Sequence, residues 1–432
     1  AVAARREAVL EPGDVLLHMD AERPRAGKKA GWRTSFLPLE ALLDSRSGKN
    51  VWVRVQRGGV DHDFDLEVAD LHALSPTAAL DVGGVTLHPL SYQQARNWNM
   101  PPGAVCTAFA GYMFSNAGVP SRAVICELNA TPTPNLEALQ QVVLSLADGA
   151  RVALRYKMPF AQHQERVAVI TLDRTFFAMH RFDLDQTSGL WRRTKFPPPP
   201  AAPPIVPQHV DFALAGPPEV QTVSASLVRV LFDIPYQIDG VAGLKYSGVG
   251  LVVDAARGLV LVDRNTVTVS LGSVRIEFAS TVEIPATIVF LHPTHNFALV
   301  QYDAAHLAGD SVASATLSNE ALEVGEECMF VGLSKLDAAL PVFQPCAVRE
   351  ICVIEIPLSS VPRFRAVNEE VARFDLGLAL EDTSGGVFVD GSGAVKAIWA
   401  AYCSCSPAAP PVYEEELFEQ FEGMLLQQLI PV

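Results

Sequence analysis

At roughly 150 residues per domain, a chain of 432 residues divides into about three domains. With 49% hydrophobic and 19% charged residues it carries too much apolar side chain for disorder over most of its length. Thirty-three basic against 48 acidic residues leave a formal charge of −15, which gives no general attraction to phosphate backbones or anionic membranes and argues against a nucleic-acid partner.

No stretch reaches the ~18 uncharged apolar residues of a membrane span. The richest, Gly248 to Val269, is broken by Asp254, Arg257, Asp263 and Arg264. No signal peptide is read in the opening residues. The seven cysteines (Cys106, Cys126, Cys328, Cys346, Cys352, Cys403 and Cys405) are odd in number and scattered, the pattern of a reducing compartment. Cys403-Ser-Cys405 has no histidine nearby and makes a poor metal site, so neither metal nor cofactor is expected.

The first part of the chain repeats itself at a spacing of about one hundred residues. Val15-Leu-Leu-His-Met-Asp20 parallels Val124-Ile-Cys-Glu-Leu-Asn129, each a short strand ending in a turn-forming Asp or Asn. Leu39-Glu-Ala-Leu42 and Leu136-Glu-Ala-Leu139 then open helical patterns. Val51-Trp-Val-Arg-Val55 and Val152-Ala-Leu-Arg-Tyr156 follow as alternating strands behind Gly48 and Gly149. The first copy lacks its opening third, because only eleven residues precede its Pro12-Gly-Asp14 turn.

In the second copy the loop Asn99-Met-Pro-Pro-Gly103 precedes a strand Ala104–Phe109, and the later helix carries Leu136, Leu139 and Val143. A strand edge facing a helix is where an extended peptide adds itself as a further strand. Met100, Gly103, Ala104, Val105, Leu139 and Val143 are therefore the expected peptide-binding residues.

Pro197 to Pro207 holds seven of the 31 prolines and reads as a stiff, extended spacer. Beyond it come many short strands: Leu227–Phe232, Val249–Val253, Leu259–Val262, Ile288–Leu291, Phe297–Tyr302, Val387–Val389 and Val395–Trp399. Helical periodicity returns only over Glu414–Leu429, with Leu417, Phe421, Met424 and Leu425 on one face. This texture predicts a β-barrel or sandwich closed by a C-terminal helix.

Several segments carry a resemblance. Pro12-Gly-Asp-Val-Leu-Leu-His-Met-Asp20 resembles a segment of the PDZ domains of HtrA/Deg-type serine proteases, although the Met-Pro-Pro-Gly loop departs from that family's carboxylate-binding loop. Asp382-Thr-Ser-Gly-Gly-Val-Phe-Val-Asp390 resembles the nucleophile segment of the family's trypsin-like domain, with Ser384 at the nucleophile position. Gly258-Leu-Val-Leu-Val-Asp-Arg-Asn-Thr-Val267 matches the general-base motif and puts Asn265 where the histidine belongs. Asn296-Phe-Ala-Leu-Val300 matches the third motif and puts Asn296 where the aspartate belongs.

Asparagine accepts no proton near neutral pH, so position 265 supplies no general base. Asp382 stands where the motif has a glycine, and its carboxylate would oppose a developing oxyanion. The resemblance therefore implies a pseudoprotease. His295, beside Asn296, is the first substitute base to consider, followed by His292, His306 and His209, but a neighbouring strand position faces the other side of the sheet.

The whole resembles the large Deg/HtrA-type proteases of plants, algae and fungi that carry two protease domains, the second degenerate. Gly83-Gly-Val-Thr-Leu-His-Pro-Leu-Ser-Tyr92, Val262-Asp-Arg-Asn-Thr-Val267 and Phe290-Leu-His-Pro-Thr-His-Asn296 support the match. It implies a mainly β fold with some α: a partial PDZ-like domain at 1–76, a PDZ-like domain at 77–175, a linker at 176–217 and a degenerate trypsin-like double β-barrel at 218–432. It further implies peptide or unfolded-protein substrates, homo-oligomerisation through a full-length protein, and a chloroplast in preference to a nucleus. Two other readings are an active endopeptidase using Ser384 with a non-standard base and a PDZ adaptor unrelated to proteolysis.

Overall fold

The computed structural model describes residues 10–11, 13–20, 39–68, 75–100, 102–202, 206–213, 215–238, 241, 244–309, 311–355, 368–375, 383–401 and 421–425. It separates into two compact units, Ala1–Pro203 and Pro204–Val432, whose boundary falls inside the proline-rich stretch.

The first unit opens with β1 (Val15–Asp20), α1 (Leu39–Ser45), β2 (Asn50–Arg57) and β3 (Val60–Glu67), and its strands form a three-stranded antiparallel sheet in the order β1-β2-β3. Alternation along β2 buries Val51, Val53 and Val55 on one side. The Arg57 guanidinium reaches Asp14 at 2.7 Å and ties down the turn before β1.

A larger sheet follows. Its elements are β4 (Ala78–Val82), β5 (Val85–Pro89), α2 (Tyr92–Trp98), β6 (Val105–Phe109), α3 (Gly111–Asn116), β7 (Val124–Leu128), β8 (Thr131–Pro132), α4 (Leu136–Ser145), β9 (Arg151–Met158), β10 (Ala161–Thr171), β11 (His180–Asp185) and β12 (Leu190–Lys195). Eight strands run in the order β10-β9-β7-β6-β5-β4-β11-β12, and β8 adds to β7. The series β1-α1-β2-β3 recurs as β7-α4-β9-β10, so the two copies of the sequence repeat fold alike.

Helix α4 is fixed at both ends. Asn135 caps its start, accepting from Ala138 N at 2.9 Å. The buried Arg174 donates to Val143 O and Leu146 O at 3.2 and 2.6 Å, and to Asp148 at 2.7 Å, satisfying carbonyls that the helix end leaves open. Leu136, Leu139 and Val143 sink into a core with Leu80, Val82, Val85, Leu87, Val105 and Leu154.

The second unit opens with α5 (Pro218–Ser224) and builds two closed barrels. The first comprises β13 (Leu227–Asp233), β14 (Lys245–Asp254), β15 (Leu259–Val262), β16 (Ser273–Phe278), β17 (Val282–Leu291) and β18 (Ala298–Tyr302). The second comprises β19 (Glu327–Ser334), β20 (Pro341–Glu355), β21 (Asn368–Phe374), β22 (Thr383–Val389), β23 (Val395–Ala401) and β24 (Phe421–Leu425). Around each barrel the strands close in the same order, first-second-third-sixth-fifth-fourth. A mainly β chain ending in a trypsin-like double barrel is thus the observed fold.

Two expectations need correction. Residues 180–195, read from the sequence as linker, form the hairpin β11–β12, whose β11 pairs with β4. Val210, also placed in the linker, is buried in the first barrel. The C-terminal helix over Glu414–Leu429 gives way at its centre to β24, which pairs with both β21 and β23. A strand there satisfies two otherwise open edges, a gain that outweighs a helical pattern of four apolar residues. The remainder of Glu414–Leu429 lies outside the described residues.

Candidate functional site

The positions matched to the catalytic motifs sit on the loops of one barrel and a strand of the other. Asn265 follows β15 in a turn held by Asp263, whose carboxylate accepts from Thr266 N at 2.9 Å. Asn296 is fully buried just before β18. Its Oδ1 accepts from Arg264 N at 2.9 Å, so the two asparagine-bearing loops are stitched together at the residue beside Asn265. The buried Arg264 guanidinium donates to His292 O at 2.7 Å and Thr268 O at 3.0 Å.

The substitute bases are placed as follows. His292 Nδ1 accepts from Thr294 N at 3.2 Å and His295 N at 2.9 Å, and its ring lies against those of Phe297 and His295. Burial, then the neighbouring His295 and the Arg264 cation, hold the His292 pKa below the ordinary imidazole value. With Nδ1 occupied by two backbone donors, this ring serves the loop's architecture. His209 is exposed and pairs with Asp211 at 3.1 Å. His306 ends a short turn after β18.

Ser384 is the second residue of β22. The ladder between β22 and β19 shifts register between the pairs Gly332–Gly386 and Ser334–Thr383. The buried Thr383 hydroxyl lies 2.8 Å from Leu333 O and from Gly385 O and accepts from Gly385 N at 3.4 Å. Strand β22 also runs beside β14 of the first barrel, with Gly385 facing Val249. Asp382 lies outside the described residues.

The expected peptide groove takes a different form. Val105 pairs with Pro89 on one side and Ile125 on the other, so β6 has no free edge there. Val105, Leu139 and Val143 are core residues. The 99–104 loop folds back on the end of β5: Gly103 N donates to Leu90 O at 2.9 Å, Leu90 N to Ala104 O at 2.6 Å, and Met100 and Ala104 pack against Leu90, Ala95 and Cys106. Strand addition between β6 and α4 is thereby blocked.

What lies under α4 is β4 and β5. The pair is a tight hairpin turning at Gly83-Gly84, both with positive φ, at +57° and +76°. Leu80 and Val82 point into the α4 core, so β4 occupies the inner side of the helix as an added strand would. The sequence signal for this hairpin is the pair of glycines between Leu80/Val82 and Val85/Leu87. Arg264, the centre of the loop network, carried no sequence signal beyond its place before Asn265.

Residues 73–149 match the model of the PDZ-like domain. The chain is 34% identical over 398 residues to the pro-apoptotic serine protease nma111 of Neosartorya fischeri, covering 91% of this chain and 38% of that protein. It is 34% identical over 428 residues to NMA111 of Ajellomyces capsulatus, covering 98% and 40%. The chain thus spans about two fifths of the length of these curated relatives. Among solved structures it is similar to the active form of the Rv3671c protease of M. tuberculosis, with 19% identity, a TM-score of 0.35, and coverage of 54% of this chain and 89% of that one. It is also similar to Deg5, with 16% identity, a TM-score of 0.34, and coverage of 49% and 88%.

Proposed function

The chain belongs to the HtrA-type serine protease family, and on that premise we propose that it is a non-catalytic, regulatory and substrate-binding part of a serine endopeptidase engaged in protein quality control. The observation that carries this reading is the pair Asn265 and Asn296. A trypsin-like serine needs a base to take its proton and a carboxylate to hold that base in its tautomer. Here the Asn296 amide oxygen accepts from Arg264 N, which keeps the two loops joined without a titrating group. Loss of a triad serine or histidine lowers kcat by on the order of 10⁶.

In this reading the PDZ-like modules take peptides or unfolded protein and the double barrel is a scaffold, with homo-oligomerisation arising in the longer protein. The odd number and scatter of the seven cysteines support a reducing compartment. The test is casein degradation by the purified chain beside its Ser384→Ala variant. Equal inertness is the expected result. Cleavage by the parent alone would overturn the reading and require a substitute base.

A further inference from the structure

The large sheet ends at β12, and among the described residues no strand pairs with its outer side. The hairpin β11–β12 is regular over all six pairs, from His180–Lys195 to Asp185–Leu190, with no bulge to twist the edge away. Leu184 N turns inward to Thr77 O at 2.8 Å, and Phe196 N donates back to Met179 O at 3.4 Å. By the alternation of an antiparallel ladder, the backbone groups of Trp191, Arg193 and Lys195 therefore aim outward along the open edge.

The same three side chains share one face of the sheet. Trp191 is 51% exposed, and Arg193 and Lys195 are exposed beside it. The opposite face differs. There Arg192 faces Asp183 and Asp185, and Arg181 is engaged by Glu137 and Gln140 of α4. On the Trp191 face Arg193 meets His180 at 2.6 Å, and Asp81 stands two strands in, opposite His180. An open backbone ladder, an exposed indole and two cations thus coincide on one edge of a chain whose net charge is −15.

We propose that this edge, and not the filled space under α4, is where the PDZ-like module takes its partner: an extended acidic segment that adds antiparallel or parallel to β12, with carboxylates at every second residue over Arg193 and Lys195 and an apolar side chain on Trp191. The proposal rests on the peptide-binding reading above and moves its location. A second copy of the chain does not fit, since pairing two β12 edges sets like charges against each other.

The test is fluorescence polarisation with a labelled ten-residue peptide that carries Glu, Glu and Val at successive every-second positions with Thr between them, so that all three fall on one face, titrated with the full chain at low and at 0.3 M salt. The expected result is saturable binding, weakened at least tenfold by Arg193→Pro, which deletes an outward N–H as well as the charge, and severalfold by Arg193→Gln, which keeps the N–H. Circular dichroism and the unfolding midpoint establish that both variants remain folded. Equal binding of a same-composition peptide with its glutamates in one block, or of single-stranded oligo(dT), would reduce the site to charge alone and overturn it. Unchanged affinity in both variants would move the peptide elsewhere and leave the peptide-binding reading standing. No binding of any peptide or of unfolded casein would remove both.

Discussion

The two barrels share one strand order yet hold their site positions by different means. In the first, side chains do the holding: Asn296 to Arg264 N, and the Arg264 guanidinium to two carbonyls. In the second, backbone meets backbone beside one hydroxyl, that of Thr383. Gly332 and Gly386 lie face to face across β19 and β22, with the Phe330 ring against both. A hydrogen-bonded loop can exchange carboxylate for amide and keep its shape, because the acceptor oxygen survives the change. A glycine contact tolerates no such exchange. A carboxylate in place of the amide at 296 would leave its contact with Arg264 N intact, whereas any side chain at 386 would meet the backbone of β19.

The strongest challenge to that contrast is Gly386→Ala. A methyl group there meets Val331 O and lies 2.8 Å from Gly332 Cα, both backbone atoms that cannot swing aside. A loss of roughly 3 kcal/mol or more is expected in chemical denaturation, with the second barrel affected first. Asn296→Ala should cost about 2 kcal/mol, since a buried backbone N–H loses its acceptor, whereas Asn296→Asp, which keeps the oxygen, should cost less. If the two substitutions were equally costly, the acceptor would not be what matters.

The smallest effect concerns the turn between β19 and β20. Asp337 accepts from Ala339 N at 2.9 Å, and that bond, followed by one from Ser280, holds its carboxyl below the ordinary value of 3.8. A depressed folded pKa adds stability that is complete above the unfolded value and is lost as pH falls through the folded one. The parent should therefore show an acid-induced decline beginning near pH 4 that is smaller in Asp337→Asn, measured as unfolding midpoint against pH.

The alternation of Val, Leu and Ile marked the barrel strands and the proline run marked the boundary between units, because period-two patterning and the lost N–H of proline are local properties. The edges were another matter. Whether β6 or β12 has an open side depends on which strand comes to lie beside it, and nothing within Val105–Phe109 encodes its pairing with both β5 and β7. The segment 180–195 was read as linker because its polar, charged residues suit an edge strand as well as a loop. At the candidate site, the motif resemblance located Asn265, Asn296 and Ser384, while the Arg264 contacts come from bringing two separate loops together.

The hairpin β11–β12 also has a mechanical consequence. Strand β12 ends at Lys195 and the proline run starts two residues later, at Pro197. A stiff spacer transmits tension instead of absorbing it. Pulling along it would load the Lys195–His180 pair first and open the hairpin like a zipper, one ladder step at a time, while β4 and the core beneath α4 stayed whole. Force on the spacer would therefore peel away the outermost strand before any apolar core was disturbed.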